Sequence, residues 1–191
     1  MNTASCPDPA AAARPAGQRQ PTRVTFDLVL HELRNHDFAV LSTVSADGSP
    51  HSAGVNYGIS RPGPDLAIYV MTRKHLLKAR NIAENPWVSL VVPLPRRLLW
   101  FLPPPTIQLH GRAEILDWTD RGGIDVFGSF WMGRRILEAY RASARRGETR
   151  VCFLKVTPDP VISTYMLGHN VFKLRRRMES GAARVITPST R

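Results

Sequence analysis

Residues 70–82 (VMTRKHLLKARNI) carry the side chains from which a binding chemistry is most readily built. An apolar, strand-like run at 66–71 passes here, without a glycine loop, into a short predicted helix, and the stretch holds four Lys or Arg residues. On a helix that starts near Arg73, residues spaced by four and then three positions share one face. The residues on that face are Lys74, Lys78 and Asn81.

The predicted start of this helix strengthens its positive character. Thr72 directly follows the strand and is the predicted N-cap, since its hydroxyl can accept a hydrogen bond from a first-turn N–H group. The free N–H groups of that turn and the helix dipole favour an anion at the same place. Together these donors predict an anion site of phosphate size. The alternative is that the cations only solvate a surface helix, because charged helix faces are common.

The net charge of +11 over 191 residues does not indicate nucleic-acid binding, because much of the excess lies at the chain ends. Residues 170–191 hold six basic residues against one acidic residue, whereas residues 26–169 hold 17 against 13. Blocks of like charge at chain ends are typical of disordered segments. We therefore expect no specific nucleic-acid partner. The length suits one domain with a substantial core.

The two cysteines, Cys6 and Cys152, make no disulfide framework and have no Cys or His partner at metal-binding spacing. A reducing compartment, the cytoplasm, is the simplest expectation. Residues 1–20 lack the continuous apolar segment of a secretion signal. No apolar run reaches the ~20 residues that a membrane-spanning helix requires. We expect no metal site, and no Ser/His/Asp or Cys/His nucleophile set stands out.

The elements that must position the cations alternate between helical and extended patterns. An apolar repeat with the helical period predicts a helix over 24–34. Two apolar runs around Asp47-Gly48 predict a hairpin, because this turn requires a positive φ. Pro86 ends the basic helix. Strands are predicted at 38–44, 51–57, 66–71, 87–92, 106–115, 149–156 and 161–166, and helices in two pieces at 119–145.

This order of elements predicts a mainly β fold with flanking helices. Consecutive strands joined by turns imply antiparallel pairing. About six or seven such strands favour a small barrel, because a closed sheet has no open edges. A Rossmann dinucleotide fold is not expected, since the chain has no βαβ unit with a GxGxxG motif.

We expect one domain over 24–169, between a disordered tail at 1–23 and a basic, mostly disordered tail at 170–191. A helical insert occupies 119–145. A second insert, PLPRRLLWFLPPP at 93–105, is apolar in its centre and has prolines at both ends. Burial of this insert against a second subunit is the favoured interpretation. A lid over a cofactor, or weak membrane-surface contact through 96–102, are the alternatives.

Five short segments, taken in order, resemble the pyridoxamine-5′-phosphate-oxidase-like superfamily. These proteins are FMN-binding split β-barrels, and deazaflavin-dependent reductases are among them. The order and spacing of the segments carry the likeness, since each segment alone is degenerate. The segments are 38–51 (FAVLSTVSADGSPH), Met71-Thr72, 78–81 (KARN), 85–90 (NPWVSL) and 111–114 (GRAE).

The resemblance implies a six- to seven-stranded antiparallel split β-barrel that forms a homodimer with one flavin at each of two interface sites. In such proteins one strand lies along the isoalloxazine ring and the ribityl chain, largely through backbone groups. The corresponding residues here are His51, Ser52, Val55 and Asn56.

The resemblance also assigns residues around the cationic stretch. Met71 and Thr72 match strand-end positions that touch the cofactor, and Lys78 matches the phosphate-binding lysine. Asn81 matches a polar residue one helical turn later. Thr106 occupies the strand position that reaches the flavin from across the dimer.

One position departs from the family pattern, since Leu77 stands before Lys78 where the oxidases favour arginine. A second cation for the phosphate must then come from Lys74 or elsewhere. Deazaflavin binders often carry an extra arginine close to this lysine. The nearest arginines here are Arg73 and Arg80.

The function expected from the resemblance is that of an FMN-dependent oxidoreductase acting on a small organic substrate. The alternatives are a reductase that uses a deazaflavin, coenzyme F-420, and a non-catalytic protein that binds a flavin, haem or lipid. Vitamin-salvage activity is not expected, because residues 150–191 lack the Arg, Trp and His segment of the true oxidases. We predict no catalytic residue, since the redox chemistry would belong to the cofactor.

Overall fold

A computed structural model of the chain describes residues 24–61, 66–95, 103–168 and 181–188. Within these residues the chain forms eight strands and four helices. The strands are β1 (Phe38–Val44), β2 (Pro50–Ile59), β3 (Ile68–Arg73), β4 (Trp87–Pro93), β5 (Thr106–Asp117), β6 (Val151–Pro158), β7 (Val161–Tyr165) and β8 (Ala182–Ile186). The helices are α1 (Phe26–Asn35), α2 (Leu77–Glu84), α3 (Arg121–Gly128) and α4 (Trp131–Arg145).

The first six strands close into an antiparallel barrel. Hydrogen-bonded neighbours follow the order β4-β1-β2-β3-β6-β5, and pairing of β5 with β4 closes the ring. β7 and β8 extend the sheet outward from the first residues of β5. The predicted antiparallel split barrel is confirmed, with six strands in the closed ring.

Strand β8 lies inside the segment predicted to be a mostly disordered tail, so for these residues that prediction is wrong. β8 pairs antiparallel with β7, with Ile162 opposite Val185. Both of these side chains are buried, while the side chain of Arg184, which precedes Val185, is exposed. The alternation of a strand is present in AARVI, but it spans only five residues. The basic residues that precede it concealed the pattern.

The core forms two clusters, one on each side of the sheet. Alternate residues of β3 show the division: Ile68 and Val70 point into the barrel, whereas Tyr69 and Met71 belong to a cluster beneath α3 and α4. In the second cluster the rings of Phe127 and Phe153 lie 5.6 Å apart. The helical insert predicted at 119–145 therefore covers the outside of the barrel.

The predicted hairpin between β1 and β2 is present. Gly48 adopts φ 83°, which a glycine tolerates without strain. Its N–H group donates a 2.9 Å hydrogen bond to the Ser45 carbonyl, which closes the turn. The turn chemistry of Asp47-Gly48 thus sets the register of the two strands.

The apolar insert leaves the barrel between β4 and β5. Its two ends are held together, since the Leu94 N–H group donates a 2.8 Å hydrogen bond to the Pro105 carbonyl. Residues 96–102, for which we predicted a lid, a subunit contact or a membrane contact, lie outside the described residues. None of the described helices is long and apolar enough to span a membrane.

Candidate cofactor site

Two helices close the two ends of the barrel. At one end the Tyr57 hydroxyl donates a 2.9 Å hydrogen bond to the Leu33 carbonyl of α1. At the other end the Asn81 amide of α2 donates a 3.0 Å hydrogen bond to the Thr43 hydroxyl. β1 and β2 run between these two contacts. We call these two ends of the barrel the α1 end and the α2 end. The predicted site residues are described below by the end at which they lie.

The helix that carries the cations begins later than predicted. β3 continues through Arg73, and the Lys74 N–H group donates a 2.7 Å hydrogen bond to the carbonyl that precedes β6. The N-cap of α2 is Leu76, which offers no side-chain hydrogen bond. The predictions that Thr72 caps the helix and that Lys74 lies on its face are therefore wrong. Pairing with β6 keeps this segment out of helical geometry.

Lys78 lies in the first turn of α2 and is half-buried. In this turn the Ala79 N–H group donates a 2.9 Å hydrogen bond to the Leu76 carbonyl, whereas the N–H groups of Leu77 and Lys78 have no intrahelical acceptor. The turn contains no acidic residue. Within the described residues the Lys78 ammonium forms no ion pair with a carboxylate. This end of α2 therefore offers an anion both amide donors and a cation without a counter-ion.

Lys74 is exposed in the turn between β3 and α2, and its charge acts on the same buried thiol as the charge of Lys78. Burial raises the pKa of the Cys152 thiol to about 11, while Lys74 and, less strongly, Lys78 lower it. Both ammonium groups therefore lie near one place at the α2 end, although they do not share a helix face.

Asn81 lies on the buried side of α2. Its side chain is 2% exposed, as is that of its partner Thr43. The buried amide is tolerated because the threonine hydroxyl satisfies it. The prediction that Asn81 and Lys78 form one exposed donor face is therefore wrong. Asn81 instead fixes α2 against the barrel, which sets the position of Lys78.

Met71 and Thr72 lie at the end of β3 that leads to α2, and both are buried. The Met71 side chain belongs to the cluster beneath α3 and α4, on the outer side of the sheet. Thr72 has the opposite orientation, since successive residues of a strand alternate between faces. A contact of Met71 with a cofactor stays a prediction, and this placement leaves its thioether in the core.

The predicted residues of β2 also alternate between the two faces of the sheet. Val55 is buried in the barrel core, so its side chain is not available to a ligand on the outer face. Ser52 and Asn56 are exposed on that outer face. The hydroxyl of Ser52 lies 2.9 Å from that of Ser42 on β1. Ser52 and Asn56 are thus the members of this set whose side chains can meet a ligand there.

His51 lies opposite Thr43 in the β1–β2 register, at the α2 end. Its Nε2 atom is 3.3 Å from the Ser45 hydroxyl, which donates a 2.5 Å hydrogen bond to the Asp47 carboxylate. Hydrogen bonds from Ser45 and Ser49 lower the pKa of Asp47 to about 2. Because the serine separates the carboxylate from the imidazole, this is a turn network and not a catalytic triad. The residues that the structure describes contain no cluster of three His, Cys, Asp or Glu side chains suited to a metal ion.

The outer faces of β1 and β4 each expose a large aromatic side chain that was not predicted from the sequence. Phe38 is 47% exposed and Trp87 is 52% exposed. The Phe38 ring lies over Gly54, where an added Cβ would come within 3.0 Å of it. The Arg112 guanidinium lies 5.1 Å from the centre of the Trp87 ring. Strand alternation was the available signal, and an apolar face of this kind is typical of a contact surface.

Thr106 lies at the start of β5, far along the barrel from α2. It pairs with Pro93 on β4 and with Tyr165 on β7. Its side chain lines an open cavity of about 600 Å³, together with residues of β5, β7 and β8. Within one chain the structure therefore separates Thr106 from Lys78 by the length of the barrel.

The closed six-stranded barrel with its extra strands and flanking helices is the fold of the FMN-binding split barrels. The chain belongs to the pyridoxamine 5′-phosphate oxidase family, which matches residues 27–165. A comparison with curated protein sequences gives no significant match.

Solved structures share this fold at low sequence identity. The haem storage protein HutZ from Vibrio cholerae is 17% identical, with a TM-score of 0.55 over 73% of this chain and 94% of its own. A pyridoxamine 5′-phosphate oxidase-related, FMN-binding protein from Nostoc punctiforme is 15% identical, with a TM-score of 0.52 over 81% and 83%. A conserved hypothetical protein from Mycobacterium tuberculosis is 17% identical, with a TM-score of 0.52 over 74% and 85%.

Proposed function

We propose that the protein is an FMN-dependent oxidoreductase that acts on a small organic substrate. The observation that carries this proposal is the setting of Lys78. Its ammonium lies half-buried at a helix N-terminus that has neither a side-chain cap nor an acidic residue, and it has no ion pair in the described part of the chain. FMN ends in a phosphate, which such charge-assisted donors bind well. Membership of the family makes FMN the first ligand to test.

The chain's own residues take separate roles in this proposal. Lys78 and the first N–H groups of α2 bind the phosphate, and the exposed Lys74 adds attraction at longer range. Thr43 and Asn81 hold α2 in place. The outer face of β2, including Ser52, lies along the ring and its ribityl chain.

We further propose that each cofactor lies between two copies of the chain. Lys78 and Thr106 are at opposite ends of one barrel, so both reach a single flavin only if Thr106 comes from a second copy. Phe38 and Trp87 give the outer face of β1 and β4 the exposed apolar surface that such a contact needs. Burial of this face would also exclude water from the ring.

Bound FMN would supply the electron and hydride transfer. The protein would contribute the orientation of the ring, a dry surface and nearby positive charge. We place this activity in the cytoplasm, since the chain has only two cysteines and the described one, Cys152, is buried and free.

A reductase that uses the deazaflavin coenzyme F-420 is the rival within enzymes. The observation in its favour is Arg80, which is exposed on α2 two residues after Lys78 and has no ion pair in the described residues. An extra cation suits a cofactor with a longer anionic tail. Competitive titration with FMN and coenzyme F-420 separates the two, and a clear preference for the deazaflavin would overturn our first choice.

A haem-binding role without turnover is the second candidate. The imidazole of His110 is exposed on the outer face of β5, opposite Ser89 of β4. Imidazole is a common haem ligand, and a haem storage protein has this fold. Haem titration of the wild type and of a His110→Ala variant tests this role. A haem absorption band that requires His110 would support it.

The absorption spectrum of the purified, full-length protein tests the main proposal. We expect a bound flavin, identified by mass spectrometry of the extracted cofactor, and reduction of that flavin by a nicotinamide donor or by dithionite. A protein that takes up neither FMN nor a deazaflavin would contradict the proposal. Bound flavin that no physiological donor reduces would favour a storage role.

A further inference from the structure

The outward face of α4 is a basic stripe with an aromatic residue at one end. Its exposed residues recur at the spacing of one helix face. They are Trp131, Arg134, Arg135, Glu138, Arg141 and Arg145, and the exposed C-cap residue Arg146 follows them. We call this set the α4 stripe. It extends over about four helical turns, or roughly 20 Å.

The charges of the α4 stripe are not used to hold the fold together. On the opposite side of α4, buried Gly133 packs against Phe127 of α3, and buried Leu137 packs in the cluster on the outside of the barrel. No arginine of the stripe forms an ion pair within the described residues. Among the arginine side chains of the stripe, only that of Arg134 forms a hydrogen bond within the described residues, a long one of 3.4 Å from its guanidinium to the Gly128 carbonyl. The stripe therefore presents a net positive charge, with Glu138 as its one acidic residue.

A groove of about 340 Å³ lies beside the second half of the stripe. It is lined by Arg141, Arg145, Ala144 and the half-buried indole of Trp118. The two guanidinium groups are one helical turn apart, and the groove lining contains no acidic residue. Arginine donors suit a phosphate oxygen, while the indole and the methyl group suit an apolar neighbour. The groove thus fits a phosphate group attached to an apolar body.

The other end of the stripe carries the large apolar indole of Trp131, which is exposed to water. Trp131 is 64% exposed, the most exposed tryptophan among the described residues. Indole rings concentrate at the boundary between lipid headgroups and acyl chains, where the ring is buried and its N–H group stays hydrated. Interfacial helices combine aromatic anchors with Arg or Lys, usually on opposite faces. On α4 both lie on the one exposed face, because the other face is packed within the protein.

We propose that the α4 stripe docks the protein onto a lipid bilayer with anionic headgroups. Trp131 enters the interface, the arginines bind headgroup phosphates, and one phosphate occupies the groove beside Trp118. The helix lies along the surface, because its inner side stays packed on the barrel. The second half of α4 approaches the α2 end, since the Arg73 guanidinium lies 5.1 Å from the centre of the Tyr140 ring. None of the stripe residues is among those proposed to bind the cofactor, so the two proposals can be tested separately. The α4 stripe also uses none of residues 96–102.

A nucleic-acid partner fits these observations less well. Duplex backbones offer phosphates to the arginines but no apolar layer for an exposed indole. Glu138 lies within the stripe and repels any anionic surface. Its neutralisation therefore tests the electrostatic contribution to vesicle binding. We expect Glu138→Gln to bind anionic vesicles more tightly than the wild type.

Co-sedimentation of the full-length protein with phosphatidylcholine vesicles, with and without a minor share of phosphatidylglycerol, tests the proposal. We expect binding only when the anionic lipid is present, with a steep loss as salt is added. Arg141→Gln and Arg145→Gln should each weaken binding about fivefold, since one arginine near the surface contributes about 1 kcal/mol. Trp131→Ala should weaken binding as well and should abolish the blue shift of tryptophan emission on vesicles.

The control removes the same charge from another surface. Arg184 is exposed on β8, and the change Arg184→Gln, which removes one positive charge as each stripe variant does, should leave vesicle binding unchanged. Equal loss in this control would mean that net charge alone drives the association, which would overturn the proposal. Absence of binding to anionic vesicles would overturn it too. The proposal would also be overturned if the protein bound duplex DNA more tightly than vesicles and the Trp131→Ala change left that DNA binding unaltered.

Discussion

The side-chain amide of Asn81 donates a 3.0 Å hydrogen bond to the hydroxyl of Thr43, and both residues are 2% exposed. This bond joins the middle of α2 to β1 at the end of the barrel. It lies one helical turn beyond Lys78, so it fixes the height and rotation of the helix that carries the proposed phosphate ligand. A buried polar pair at this place links the stability of the barrel end to the geometry of the site.

Asn81→Ala should lower the free energy of unfolding by about 1–3 kcal/mol, because it leaves the buried Thr43 hydroxyl without its donor. FMN affinity should fall as well, since α2 loses its anchor. Denaturant unfolding and flavin titration measure the two effects. Asn35→Ala is the matched control, because Asn35 is exposed at the end of α1 and should change stability by no more than about 0.5 kcal/mol. Similar losses in both variants would refute a special role for the buried bond.

Lys78→Ala should weaken FMN binding by about 1.5–3 kcal/mol, the range for a hydrogen bond to a charged group. This corresponds to roughly a 10- to 150-fold rise in the dissociation constant. Arg80→Ala removes the same charge from an exposed position on the same helix and should have a smaller effect. Isothermal titration of the apoprotein with FMN gives both values. Equal effects would mean that only the summed charge of α2 matters.

The sequence predicted those features that depend on neighbouring residues. Asp47-Gly48 predicted a tight turn that requires a positive φ, and Gly48 adopts a φ of 83°. Alternation and turn chemistry together were enough for a closed antiparallel barrel. The prediction that Lys78 lies on a short helix directly after a buried strand was also correct, although the helix begins later than predicted.

Features that depend on distant pairing were not predictable in this way. β6 pairs with β3 as far as Arg73, which delays the start of α2 and removes Lys74 from its face. The hydrogen bond to Thr43 turns the Asn81 side chain toward the barrel, whereas helix spacing alone predicts that it lies beside Lys78. β8 was missed because its partner β7 supplies the buried neighbours that its five residues lack.

Trp87→Ser should shift the proposed dimer toward the monomer and should weaken FMN binding, because the outer face of β4 would lose its largest apolar side chain. Phe38→Ser should act in the same direction. Light scattering coupled to size-exclusion chromatography measures the mass in solution. Trp131→Ser is the matched control, since it removes an even more exposed tryptophan from a different surface. A wild-type protein that is monomeric with FMN bound would disprove the shared site.

Gly133→Ala should destabilise the protein by about 1–3 kcal/mol through overpacking, although alanine is the better helix former by about 1 kcal/mol. A Cβ at this position would overlap the Phe127 carbonyl oxygen and come within 2.6 Å of the Phe130 ring. Gly128 closes α3 with no atom within 4 Å of an added Cβ, so Gly128→Ala should be neutral or stabilising. Thermal unfolding compares the two variants. If Gly133→Ala proves as stable as the wild type, the close crossing of α3 and α4 is not needed.

Glu148 should make the fold sensitive to acid. The Arg150 guanidinium donates hydrogen bonds of 2.8 and 2.9 Å to this carboxylate, and with them it lowers the pKa of Glu148 from 4.5 to about 2. Because the pKa is lower in the folded state, this stabilisation is present above pH 4.5 and is lost as the pH falls toward 2.

Glu148→Gln should therefore reduce the fall in unfolding temperature over this interval, and Arg150→Gln should do the same. A residual fall is expected from Asp47, whose pKa is also lowered to about 2. Thermal scans across this pH range make the comparison, and a Glu148→Gln variant as acid-sensitive as the wild type would show that the pair does not stabilise the fold.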